Sequence, residues 1–160
     1  MDKFQIRPLA ENDRAWATAL IKKEWAGPKI VTRGKVHYPD KYPGFIAIKD
    51  NKPVGLVTYY IAGKNCEVTT MNSLAEKMGI GSALLDAVKD AAKKAGCKRL
   101  WLITSNDNTY ALKFYQKYGL KLVAVHRDAI VKSRRLKPEI PLTGNDGIGI
   151  RDEIELEMML

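Results

Sequence analysis

The sequence predicts an α/β fold, arranged as one layered domain over residues 1–160. Three observations carry this reading. Alternating or β-branched runs recur along the chain, two stretches of helical periodicity separate them, and turn residues mark each change of period. A chain of 160 residues has the length of one domain, which buries roughly 68–70% of its unfolded surface. Hydrophobic residues at 46% and charged residues at 28% match ordinary globular usage and exclude a disordered or fibrous chain.

Taken in order, residues 4–9 (FQIRPL) alternate as a short strand, and residues 10–25 are amphipathic, with Trp16, Leu20, Ile21 and Trp25 on one stripe. Residues 27–44 hold three prolines, three glycines and no period, which predicts a long loop where substrate contacts belong. Residues 45–72 read as three antiparallel strands, separated by Asp50-Asn51-Lys52-Pro53 and by Gly63-Lys64-Asn65. From 80 to 95, Leu84, Leu85, Val88, Ala92 and Ala95 recur at helical spacing, and Gly96 is placed as the C-cap.

Residues 97–105 (CKRLWLITS) are apolar in the middle and predict a central strand covered on both faces. The next stretch offers Asn106 or Asp107 as an N-cap, then Ala111, Leu112, Phe114, Tyr115 and Tyr118, and Gly119 as a stop, which is a second helix. Residues 120–126 are a strand and 127–149 an irregular insertion. The last strand, 150–160, alternates Ile154, Leu156 and Met158 against Glu153, Glu155 and Glu157.

The two cysteines, Cys66 and Cys97, have neither a disulfide framework nor metal-ligand spacing and read as small buried hydrophobes. No apolar run reaches the roughly 18 residues of a membrane span, and the N-terminus lacks a signal-peptide core, so a cytoplasmic protein is expected. A net charge of +9 favours anionic partners such as nucleic acid, an acidic membrane surface or a polyphosphate cofactor. No helix-turn-helix, zinc or RNA-binding motif accompanies that charge. A nucleic-acid-binding domain is therefore the weaker alternative.

Gly79-Ile80-Gly81 opens the first predicted helix after the three strands. The first turn of a helix leaves N–H groups unpartnered and partially positive, and a glycine loop lets a phosphate approach them. No Gly-Lys-Ser/Thr ends the loop and no third glycine succeeds the pair, so it is neither a Walker loop nor a dinucleotide fingerprint.

With its flanking strands and the next helix, this segment resembles the GNAT superfamily of acyl-CoA-dependent N-acetyltransferases. Glu76-Lys77-Met78-Gly79-Ile80-Gly81 is similar to that family's Arg/Gln-x-x-Gly-x-Gly/Ala loop. Asn108, Ala111, Phe114, Tyr115, Gly119 and Leu120 are similar to its Asn-x-x-Ala-x-x-Phe-Tyr-x-x-x-Gly-Phe helix. Glu76 departs from the family pattern; a carboxylate there would repel a pyrophosphate, although backbone amides do most of the binding and Lys77 lies alongside.

The resemblance implies a mixed, mostly antiparallel central sheet flanked by helices. It also implies acetyl-CoA as cosubstrate and direct attack by a primary amine in a ternary complex. The coenzyme would then lie along Met71, Asn72, Ser73, Lys77, Met78, Gly79, Ile80, Gly81, Ser82, Asn108 and Tyr115, with backbone donors at 70–73 facing the thioester. Tyr115 would protonate the departing thiolate, and Glu67 would serve as general base. Asn108 would cap its helix or hold the pantetheine arm. Arg33, His37, Asp152 and Glu153 either face the acceptor or are plain surface groups, as is His126. A homodimer through the last strands belongs to the same resemblance, and an acyl-CoA-binding regulator without turnover is the alternative within the fold.

Overall fold

In the computed structural model, which describes residues 3–75 and 78–160, the chain opens with β1 (Gln5–Pro8), α1 (Arg14–Glu24) and the short strands β2 (Ile30–Thr32) and β3 (Lys35–His37). Next come β4 (Gly44–Lys49), β5 (Lys52–Ala62), β6 (Asn65–Ser73) and α2 (Ile80–Lys94). The second half holds β7 (Arg99–Ser105), α3 (Thr109–Tyr118), β8 (Lys121–His126), α4 (Ala129–Ser133) and β9 (Glu153–Met159). Seven strands form one mixed sheet in the order β1-β4-β5-β6-β7-β9-β8, parallel only where β6 meets β7. The chain's last strand thus enters between β7 and β8.

The loop expected at 27–44 is partly ordered into a hairpin, with Ile30 opposite His37 and Thr32 opposite Lys35. Three-residue strands are too short for a period to register, and the prolines and glycines that flank them hide the pairing. The insertion at 127–149 is likewise not wholly irregular, since it contains α4 and a single 3-10 turn at Asn145–Gly147.

Alternation along β5 shows how the layers form. Leu56 points to one face, where it packs with Ala17, Leu20 and Ile21 of α1. Its neighbour Val57 points to the other face, into a core with Leu84, Leu85 and Val88 of α2 and Tyr115 of α3. Gly55 sits beneath α2 because a Cβ there would lie 2.8 Å from Ile80 Cγ2. Strand β7 buries Leu100 and Leu102 on the helix side, whereas Trp101 and Ile103 are only half-buried, so the covering expected on both faces is partial. Cys66 and Cys97 are buried and unbonded in the larger core, and burial pushes the Cys66 thiol up to about 12.

The ladder between β5 and β6 is interrupted near its middle. Thr58 faces Thr70 but Tyr59 faces Val68, which leaves Thr69 as an extra, bulged residue. Consecutive strand residues normally point to opposite faces, yet the hydroxyls of Thr69 and Thr70 both reach Thr58 Oγ1, at 2.7 and 2.6 Å.

The burial pattern sets an expected contrast in stability. Leu84→Ala empties a fully buried site under α2 and is expected to cost about 2–5 kcal/mol by urea unfolding. Leu122→Ala, on the exposed edge strand β8, is expected to stay within about 0.5 kcal/mol. Equal losses would contradict the placement of the core.

Candidate active site

The parallel pairing of β6 and β7 covers only Asn65↔Arg99 to Val68↔Leu102. At the Thr69 bulge the strands part, β6 continuing along β5 and β7 along β9. A cleft of about 720 Å3 opens between them, bounded by the start of α2, by α3, by the end of α1 and β2, and by the 130–150 segment. Residues 69–73 therefore have no ladder partner on the cleft side. Leu74 N–H bonds Val54 O at 2.8 Å, so by alternation Asn72 also addresses β5, while Met71 and Ser73 turn their N–H groups to the cleft.

At the cleft floor α2 begins. Gly79 adopts φ 77° as its N-cap, a left-handed conformation that glycine takes freely. The first return to its carbonyl is Ala83 N at 3.0 Å, which leaves the N–H groups of Ile80, Gly81 and Ser82 without an acceptor among the described residues. Gly81 is required for a different reason. A Cβ there would lie 2.9 Å from Phe114 Cζ and 3.3 Å from Met71 Cε, so its absence lets α2 pack against α3 and β6.

Met71, Ser73, Met78, Gly79, Ile80, Gly81, Ser82, Asn108 and Tyr115 all line this cleft. Lys77, with Glu76, lies outside the described residues. The Asn72 side chain turns away from the cleft and accepts from Trp25 Nε1 at 3.4 Å. Asn108, rather than Asn106 or Asp107, is the N-cap of α3, accepting from Ala111 N at 3.1 Å. Asp107 is instead buried, bonded to the Ser105 hydroxyl and to Asn145 N. Tyr115 is nearly enclosed, and burial pushes its phenol far above the ordinary value, so the hydroxyl keeps its proton.

Glu67 does not itself line the cleft. It is buried behind Thr32, whose Oγ1 donates to Glu67 Oε2 at 2.7 Å and which does line the cleft. His37 is no surface group. It is fully buried, with Nδ1 2.7 Å from the Tyr42 hydroxyl, while Nε2 lies 3.5 Å from Glu67 Oε1 without a hydrogen bond.

Two carboxylates line the cleft, the exposed Glu24 at the end of α1 and the buried Glu153, which is held by Arg33 N and Arg33 Nη1, each at 3.2 Å. Asp152 bonds Arg151 and Asp128 N instead, and His126 bonds Glu155 at 2.9 Å. No group of three or more His, Cys, Asp or Glu side chains among the described residues is arranged to hold a metal.

Sequence reasoning did not anticipate Ile130, Ser133 and Lys137, which the insertion contributes to the cleft. Lys137 Nζ donates to the carbonyls of Trp25 and Lys29, tying the insertion to the loop after α1. Burial lowers its ammonium below the ordinary lysine value. One of two lysines in a segment without periodicity, it gives no signal for such a role.

Known proteins share this fold. The model of the acetyltransferase (GNAT) family matches residues 9–120. YdhI, an uncharacterised protein of Bacillus subtilis (strain 168), is 43% identical over 93% of this chain and 94% of its own length. A GNAT family acetyltransferase from Elizabethkingia anophelis, solved with acetyl-CoA bound, shares 22% identity over 100% of both chains with a TM-score of 0.71. An acetyltransferase of Bacillus subtilis solved with CoA shares 21% identity over 99% of both, with a TM-score of 0.72. No helix among the described residues is long and apolar enough to cross a membrane.

The buried carboxylate gives a direct test of the cleft wall. Thr32→Val keeps the side-chain shape but leaves Glu67 Oε2 without its donor, and is expected to cost about 1–3 kcal/mol by urea unfolding. An unchanged unfolding midpoint would show that Glu67 does not depend on Thr32.

Proposed function

The chain belongs to the acetyltransferase (GNAT) family, and from that premise we propose that it moves an acetyl group from acetyl-CoA to a primary amine by direct attack in a ternary complex. The observation that supports this reading most is the meeting, in one cleft, of unpaired β6 backbone donors, the open N-terminus of α2 and the buried phenol of Tyr115. The coenzyme-bound structures of similar fold support the choice of acyl donor.

On this reading the N–H groups at 80–82 receive the pyrophosphate, where the helix dipole favours negative charge. The pantetheine arm runs through the gap that β6 and β7 leave, past the side-chain amide of Asn108. The amine nitrogen attacks the thioester carbonyl carbon, and negative charge develops on its oxygen. A backbone N–H of Met71 or Ser73 aimed at that oxygen is worth about 2.7–4 kcal/mol in comparable acyl-transfer sites. The C–S bond then breaks, and the thiolate takes the proton of Tyr115. A raised phenol pKa keeps that proton available throughout the neutral range.

The attacking nitrogen must first lose a proton from its ammonium form. Glu67 is the proposed base, acting through the Thr32 hydroxyl, which donates to Glu67 and offers its lone pairs to the cleft. When His37 donates from Nδ1 to Tyr42, its Nε2 is a free acceptor 3.5 Å from the carboxyl group, ready for a protonated Glu67. Glu153, held by Arg33 on the cleft wall, is placed to face the incoming ammonium.

Release of free thiol from acetyl-CoA over a panel of primary amines tests the function. Tyr115→Phe is expected to lower kcat about 10²–10⁴-fold while the thermal shift given by CoA persists. Full activity in that variant would remove the acid role. Absence of a CoA shift in the parent protein would remove the reading itself.

A further inference from the structure

A second cavity, of about 650 Å3, adjoins the acceptor end of the cleft. Its charged and titratable walls are Arg33, His126, Arg127, Lys132 and Arg135, and no carboxylate is among its lining residues. Ser133 lines both cavities, Leu136 faces the second and Lys137 the first, so the turn after α4 forms the partition between them. Arg33 reaches across it, bonding Glu153 on the cleft wall.

The cations differ in how they are engaged. Arg33 is held by Glu153 and His126 by Glu155, whereas Arg127, Lys132 and Arg135 form no ion pair with a described residue. Arg134, next in sequence to Arg135, is fully engaged by the carbonyls of Ile140, Pro141 and Ile150. Like charges converging on a concave wall repel one another, and such a wall concentrates their field on whatever enters. An oxyanion relieves that repulsion, and guanidinium forks match its geometry.

We propose that this pocket binds a carboxylate or phosphate carried by the amine acceptor, so that the enzyme prefers acidic amines. The proposal rests on the acetyl-transfer reading for the identity of the ligand, but not for the existence of the pocket. Where the two cavities adjoin, charge changes sign between Glu153 and the cations beyond Arg33. Glu153 addresses the ammonium in the cleft, and Arg127 and Arg135 hold the acid group on the far side of the Arg33–Glu153 pair.

The test uses inorganic phosphate, ethanolamine and O-phosphoethanolamine in thermal-shift titrations at constant ionic strength, with CoA saturating so that the α2 N-terminus is filled. The comparison variant is Arg127→Gln/Arg135→Gln, which changes two exposed side chains without ion-pair partners. In the parent protein, phosphate at ten times its Kd is expected to raise Tm by about 3–6 °C. O-phosphoethanolamine is expected to bind roughly tenfold tighter than either phosphate or ethanolamine, and the variant to lose both effects.

Equal phosphate shifts in parent and variant, or none in either, would overturn the pocket. A phosphate shift lost in the variant, with no gain for O-phosphoethanolamine over phosphate, would overturn the acceptor assignment and leave a site for a free anion. Failure of acetyl transfer reads differently, because thiol release would be absent with every amine while the phosphate shift persists.

Discussion

Strands β6 and β7 are neighbours in a parallel pair, yet they bond over four residues and then separate. Backbone N–H and C=O groups that no strand pairs need another partner, and in this opening they are free to bond whatever enters the cleft. The cause of the opening is local. An extra residue at Thr69 bends β6 away from β7, and a tight set of threonine hydroxyls, from Thr58, Thr69 and Thr70, holds the bend in the core.

Everything else in the site is arranged around that gap. Gly79 turns the chain into α2 so that its free N–H groups meet the cleft, and Gly81 lets Phe114 lie close enough for α3 to bring Tyr115 to the same space. On the opposite bank the β2–β3 hairpin supplies Thr32 and Arg33. These bind two buried carboxylates, Glu67 from β6 and Glu153 from β9. The insertion closes the far end, anchored by Lys137 on the carbonyls of Trp25 and Lys29. On the proposed reading, the coenzyme side is built from the sheet and its helices, while the acceptor side is built from segments of low regularity.

The sequence made the framework legible because period and turn chemistry are local properties. Strand and helix order, the three-strand meander and the α2 stripe derive from them, whereas most of the cleft-lining positions near Gly79 and Tyr115 came from the family resemblance. Features that depend on register or on distant partners came from neither. Nothing in VTTMN marks Thr69 as the bulged residue, since a bulge is defined by the opposing strand. Asp107 looks as good an N-cap as Asn108, but Asn145, 38 residues away, draws its carboxylate elsewhere. Glu153 reads as the solvent face of β9 alongside Glu155 and Glu157, and it is buried only because the positive-φ turn at Arg33 wraps over it. Glu67 sits on the strand where the family resemblance puts a base, and a threonine from an unforeseen hairpin stands between it and the cleft.

A crystal structure of the protein with bound CoA shows whether the coenzyme occupies the gap between β6 and β7. Diphosphate oxygens are expected within hydrogen-bond distance of the amides at 80–82, with the pantetheine arm threaded between the two strands beside Met71 and the thiol sulfur next to the Tyr115 hydroxyl. A coenzyme bound elsewhere on the surface, with that gap unfilled, would contradict this placement.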